Sequence, residues 1–321
     1  MKILVSATMW IGTIAPCAAA PCVAADPVSL RPRWIVGEEL RYDLTAEYRQ
    51  STGDAADEAR ERRTSQAARL LLQVQEVSDS GSATIRLTLE SLRVELSGPE
   101  IPAAETFDWP TPEAERGPEA AAPTPLRSLC SALVECTLIA EVGADGSVTG
   151  ITGLLPLAKV LRESGGDSPA LLGIGFFSPV RLKTNLASLW QVDPDGRGRE
   201  AGARWRTRDD VTMGKGFDAT ATTEWTLVSS EAGSARVEGL IRLSRPASRR
   251  EADPAAPKLS LKAESGSIAA EWDTSRGRLL SRTSDQSSTW TATVDLGPGA
   301  AVEQVSAEST AVSRITLKLV E

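Results

Sequence analysis

The 321-residue chain contains no histidine, four cysteines and 4% aromatic residues, and carries a formal net charge of −8 at pH 7. Without an imidazole there is no Ser-His-Asp or Cys-His machinery and no His-containing zinc or haem site. The acidic balance argues against a general polyanion binder, so no nucleic-acid partner is expected.

Along the chain, residues 1–25 read as an export leader. Lys2 supplies a positive start, residues 3–15 are an apolar stretch, and Val23-Ala24-Ala25 offers the small residues of a cleavage site. The apolar stretch is shorter than the roughly 20 residues that span a bilayer, and no later charge-free segment is longer, so no transmembrane anchor is expected. The mature protein is expected in the periplasm or outside the cell. Cys17 and Cys22 raise lipoprotein anchoring, but Pro16 and Pro21 before them fit that signal poorly. Loss of Lys2 with the leader takes the net charge from −8 to −9.

Three regions follow: a first β-rich half over 26–153, a helical connecting segment over 154–200 and a second β-rich half over 201–321. Period-two alternation predicts strands at 40–48, 70–77, 83–96, 137–142, 222–228, 235–243, 268–272, 279–283, 289–294 and 314–320. Ser80-Gly81, Asp145-Gly146, Ala232-Gly233 and Arg276-Gly277 supply turn chemistry between them. Residues 51–66 and 101–125 read as loose polar insertions, with the Arg60, Arg62, Arg63 run as a solvated loop. Leu126, Leu129, Cys130 and Leu133 share one helical face, which predicts a short helix over 125–134. Helical or irregular apolar spacing from 154 to 189 predicts two or three more. The expected fold is mainly β: a large curved antiparallel sheet, half-barrel or sandwich from two related halves, with a short helical segment in the middle. The two halves also show a weak internal repeat, with 37–41, 77–85 and 140–142 matched in order by 202–206, 228–237 and 270–272.

Cys130 and Cys136 are the cysteines left after cleavage, and an oxidising compartment makes a disulfide between them one expectation. Spacing alone does not settle the pairing, and two cysteines without histidine are a poor metal site. No phosphate loop, nucleophile elbow or Cys-x-x-Cys motif occurs, so no cofactor, metal or catalytic residue is assigned. Asp193-Pro194-Asp195-Gly196 has the look of a calcium-loop start, but Arg197 and Arg199 stand where further oxygen ligands belong, which favours a plain turn. With 43 acidic residues, no carboxylate pair can be singled out for hydrolysis.

The tryptophans are the more informative set. Seven lie beyond Trp10, and Trp205, Trp225 and Trp272 fall within β-rich runs. They serve either sheet packing or a pocket. Leu171, Leu172, Ile174, Phe176 and Phe177 form the most apolar part of the mature chain and are the expected cover for the sheet. If cover and sheet leave a gap, these eight residues line an apolar-ligand site; if they close up, they are core.

The leader, the Gly37-Glu38-Glu39-Leu40-Arg41-Tyr42 opening, the Asp145-Gly146 hairpin and the Glu271-Trp272-Asp273 element leading to Gly277-Arg278-Leu279 together resemble a group of uncharacterised exported bacterial proteins, domains of unknown function. That resemblance implies export and a β-rich architecture, and no reaction. In layout alone, the chain is similar to periplasmic lipoprotein carriers of the LolA type. The functional expectation is an exported, non-enzymatic cell-envelope protein that binds or carries an apolar small molecule or lipid. A structural or interaction module that meets another envelope protein is the alternative, and a hydrolase using carboxylates ranks last.

Overall fold

The computed structural model describes residues 27–53, 60–99, 101, 103–110, 124–163, 174–214, 217–231, 233–244, 258–295 and 304–320. The leader and residues 171 and 172 therefore lie outside the described residues. The first half holds β1 (Glu39–Gly53), β2 (Arg60–Val77), β3 (Ala83–Ser97), β4 (Glu105–Trp109), helix α1 (Pro125–Val134), β5 (Leu138–Val142) and β6 (Val148–Thr152). Helix α2 (Leu155–Glu163), a 3-10 turn (Gly175–Phe177) and helix α3 (Pro179–Trp190) follow. The second half is β7 (Arg204–Gly214), β8 (Phe217–Glu231), β9 (Ser234–Ser244), β10 (Lys258–Asp273), β11 (Arg278–Asp295) and β12 (Gln304–Val320).

All twelve strands form one curved antiparallel sheet in the order β6-β5-β3-β2-β1-β12-β11-β10-β9-β8-β7, with β4 beside β3. The sheet is not closed into a barrel: β7 lies at one edge and β6 and β4 at the other. The two β-rich halves meet where β1 pairs with β12, Leu44 opposite Leu317.

The alternation does the work expected of it. On β1, Leu40, Tyr42, Leu44 and Ala46 are buried beneath the helices, while Arg41, Asp43 and Glu47 point to the solvent face. That outer face is laced with ion pairs such as Arg69 to Asp43 at 2.8 Å and Arg314 to Asp285 at 2.5 Å. On β3 the inward set changes from Ile85 and Leu87 to Leu92, Val94 and Leu96, because a bulge between Leu89 and Ser91 adds one residue and resets the phase. The four turn glycines, Gly81, Gly146, Gly233 and Gly277, all have φ between 65° and 87°.

Helix α1 occupies the predicted span. Thr124 Oγ1 accepts from Arg127 N, Pro125 opens the first turn, and Leu126, Leu129, Cys130 and Leu133 are buried. Three expectations are corrected. Residues 51–53 and 60–66, read as a loose insertion, are the tip of the β1-β2 hairpin, so the Arg60, Arg62, Arg63 run belongs to a strand. Residues 105–109 within the second insertion pair with β3 as β4. The separate strands expected at 279–283 and 289–294 are one long strand, β11, paired without a break through 284–288. Strands β6 and β7 were not expected as strands.

Helix α3 is pinned at its C-terminal end. Trp190 meets Trp34 edge to face at 5.4 Å between ring centroids, and Trp205 Nε1 donates to Val192 O at 2.8 Å. Asp193 is fully buried and accepts from Arg199 at 2.6 Å, and Arg31 donates to Pro194 O at 3.0 Å. The acidic loop that has the look of a calcium site is thus a folded turn whose carboxylate already holds a guanidinium.

Candidate functional site

The inner face of the sheet, the one bearing the helices, differs between its halves. Under α3 in the first half, Leu70, Leu87, Leu133, Leu138, Phe177 and Leu182 leave a void of about 10 Å³. That is at the limit for a single water, so this part is core. Beyond α3, over the second half, lies a cavity of about 190 Å³. A cavity of ~150 Å³ holds benzene, so this one has room for a small ligand.

The cavity lining is mixed. Phe176, Leu189, Ile241, Leu243, Ile268 and Ile315 contribute apolar surface. Polar groups come from three elements: Arg181, Asn185 and Ser188 on α3; Arg282, Ser284 and Gln286 on β11, where Ser284 lies between Ile268 and Ile315; and Ser313 on β12. Tyr48 and Asp209 lie at its margins on β1 and β7. On α3 the lining residues recur at i, i+4 and i+7, one stripe round from Leu182, Leu186 and Leu189, so the same helix presents a core face and a site face.

Arg282 is the central group. A bulge opposite Trp272 leaves Leu280 as the extra residue, so β11 turns Leu279 inward and then Arg282, Ser284 and Gln286. Arg282 is only 8% exposed; it donates to Ser188 O, and its guanidinium lies 5.7 Å from the centre of the Trp225 ring. Burial pulls its pKa down to about 10, opposed by the charge of Asp209, so it stays protonated at neutral pH. Tyr48 is pushed up to about 12 by burial, against the opposing charge of Arg181, and is a neutral hydroxyl.

The wall is held from behind. Gln66 Oε1 accepts from Phe176 N at 3.2 Å and Asn185 Nδ2 donates to Phe176 O at 2.7 Å, holding both backbone polar groups of that residue. Gly175 lies against Tyr48, where an added Cβ would clash with the ring. Trp225 packs beside Gly239, where an added Cβ would stand 3.0 Å from the ring, and stacks on Trp205 at 6.4 Å with 15° between planes.

Of the residues expected to line an apolar site, Phe176 alone lines this cavity. Ile174, Phe177 and Trp272 are buried in the core. Trp205 and Trp225 form a stacked pair, with Trp225 beneath Arg282. Leu171 and Leu172 lie outside the described residues. Cys130 and Cys136 are free buried thiols; Cys136 Sγ donates to Ala132 O at 3.2 Å, and burial pushes Cys130 up to about 12. Among the described residues, no group of three His, Cys, Asp or Glu side chains is arranged to hold a metal ion, and Asp209 is the one carboxylate lining the cavity. An acid-base carboxylate pair does not assemble there.

The polar lining was missed for an identifiable reason. Residues 284–288, Ser-Asp-Gln-Ser-Ser, break the apolar alternation and so read as a gap between two strands. The usable signal was Arg282, Ser284, Gln286 and Ser288 at period two between apolar runs: a strand that continues while its inward face turns polar.

A second depression, of about 770 Å³, lies on the opposite face of β7–β11 and is more open. Arg206 pairs there with Glu224 at 2.6 Å, Glu238 with Arg236 at 2.8 Å and Asp285 with Arg314 at 2.5 Å, and the depression has the character of a solvated sheet surface.

No family model and no curated protein matches the chain. Among solved structures, it is similar to one titled lipid-protein interactions in lipovitellin, with 9% identity and a TM-score of 0.48, over 90% of this chain and 26% of that one. The chain thus spans about a quarter of the lipovitellin chain. It is also similar to the outer membrane protein OprG from Pseudomonas aeruginosa, with 6% identity and a TM-score of 0.23, over 91% and 99% of the two chains. An outer membrane channel from Pseudomonas putida F1 gives 10% identity and a TM-score of 0.18, over 90% and 98%. Values this low carry no inference about activity.

Proposed function

We propose that this is an exported, non-enzymatic binding protein of the cell envelope that holds a small amphiphile between α3 and the second half of the sheet. The observation that carries the reading is the cavity of about 190 Å³ between α3 and the sheet, lined by apolar and polar side chains together. The export part rests on the leader-like residues 1–25. The alternative, an interaction module built on sheet edges, has β7 as its one long edge. Arg204, Arg206 and Arg208 along that strand are the charges by which edges discourage strand addition, so the cavity is the better supported site.

The test is calorimetric titration of the mature protein with 1-octanol, beside native mass spectrometry of protein purified gently from its own envelope. Wild type should bind octanol. Ala221→Trp, which fills the cavity from β8, should abolish binding while the protein keeps a cooperative thermal transition. Failure of wild type to bind octanol or any octyl acid, with no small molecule co-purifying, would end the binding reading.

A further inference from the structure

We infer that the ligand of this cavity carries a negative charge on its polar end, with Arg282 as the group that recognises it and Arg181 as a second cationic contact. The inference rests on the reading of the cavity as a binding site and names the chemical class that fits it. Among the described residues, the cavity's charged lining is two arginines against one carboxylate, Asp209. Glu264, farther along the same face, already accepts from Leu243 N, and burial raises its pKa toward the neutral form. Inside a chain whose net charge is −8, this is a local positive site, not a reflection of overall basicity.

Arg282 is an expensive residue to keep where it is. It stands in register with Leu317 on one side and Ala270 on the other, between neighbours that would pack against an aliphatic side chain. Removing a guanidinium from water is costly, and an apolar residue there would avoid that cost. Ser188 O, the Trp225 ring and the charge of Asp209 offset part of it. A bound anion would add to them, because a planar guanidinium offers carboxylate or phosphate oxygens paired donors. Ser284, Gln286 and Ser313 stand beside it as neutral hydrogen-bonding groups. The apolar lining residues Ile241, Leu243 and Ile268, on β9 and β10, then receive the hydrocarbon part. A carboxylate and a phosphate monoester share this chemistry; a carboxylate, with a single charge, matches the excess of one positive charge more closely.

The experiment is calorimetric titration of the mature protein with octanoate, octyl phosphate and 1-octanol, which share one chain and differ in the head. At least one of the two anions should bind tenfold or more tightly than octanol, and whichever anion is tighter identifies the head. Arg282→Met should remove that preference. Arg181→Gln, at a half-exposed site that tolerates the change, should reduce it severalfold, and so provides a test even if the variant at 282 does not fold. Octanol binding as tightly as both anions, or a preference that survives in Arg181→Gln and Arg282→Met, overturns the anion inference and leaves the cavity reading intact. Absence of binding by all three compounds overturns both.

Discussion

The first and second halves of the sheet are built by the same rule and used differently. Each sends alternate side chains to the helix-bearing face. On β1, β2 and β3 those positions are leucine, isoleucine, valine and alanine over most of their length, and the helices press into them. On β11 the inward positions run Leu279, Arg282, Ser284, Gln286, Ser288, and β12 and β8 bring Ser313 and Thr223 to the same cavity. The backbone pairing is as regular there as in the first half, so the identity of the inward residues, not the fold of the strand, decides which region becomes core and which becomes site.

The sharpest way to break this comparison is substitution on both sides of it. Leu129→Ala, at a fully buried core position on α1, should lower stability by about 2–5 kcal/mol in urea unfolding. Ser284→Ala in the cavity should stay within about 0.5 kcal/mol. Similar losses at the two positions would mean that the second half is packed as the first is. Gly239→Ala should have an intermediate effect, about 1–3 kcal/mol, because its Cβ would meet Thr223 Cγ2 at 2.9 Å and the Trp225 ring at 3.0 Å. It should also shift tryptophan fluorescence and weaken octanoate binding, since Trp225 supports Arg282; unchanged binding would separate the tryptophan from the site.

The smallest effect is on the alkaline side. Burial raises the pKa of Cys130 in the core and of Tyr48 at the cavity, each to about 12. In both cases the folded state holds its proton more tightly than the unfolded state does. The resulting stability is full below the unfolded pKa, about 9 for the thiol and about 10 for the phenol, and is lost as pH rises toward the folded value. Urea midpoints measured from pH 8 upward should begin to fall near pH 9 in wild type. In Cys130→Ala that fall should be shallower, the remainder carried by Cys136, whose pKa burial also raises. An unchanged slope would show that the Cys130 thiol is ionised or oxidised in the native protein.

The sequence made the core more legible than the site. Alternation located β1, β3, β9 and β12, and three-and-four spacing gave α1 its full span from Pro125 to Val134, because burial of one face leaves a periodic trace. The β1-β2 hairpin tip was lost because residues 60–63 carry charge on both faces once the strands pass beyond the helices, and a strand with no buried face has no period to read. The tryptophans drew attention as pocket residues on account of their size, and packing accounts for most of them. Arg282 left only a weak trace, since a single arginine on a β-strand is ordinarily a solvent-facing residue; the bulge at Leu280 is what turns it inward, and that bulge belongs to the pairing with β10, which the alternation along β11 alone does not reveal.

The pairing of β1 with β12 also bears on how the chain reaches this structure. Strand β1 must wait for β12, far along the chain, so the middle of the sheet is completed only after the strands between them in sequence have been made. Such long-range closure makes folding slow, and until residues 304–320 arrive, β1 presents a bare edge with Leu44 and Tyr42 beside it. Deleting β12 would therefore not trim a border strand. It would divide one sheet into two, each with a freshly exposed edge prone to pair with other chains, which makes residues 304–320 the least dispensable stretch for escaping aggregation.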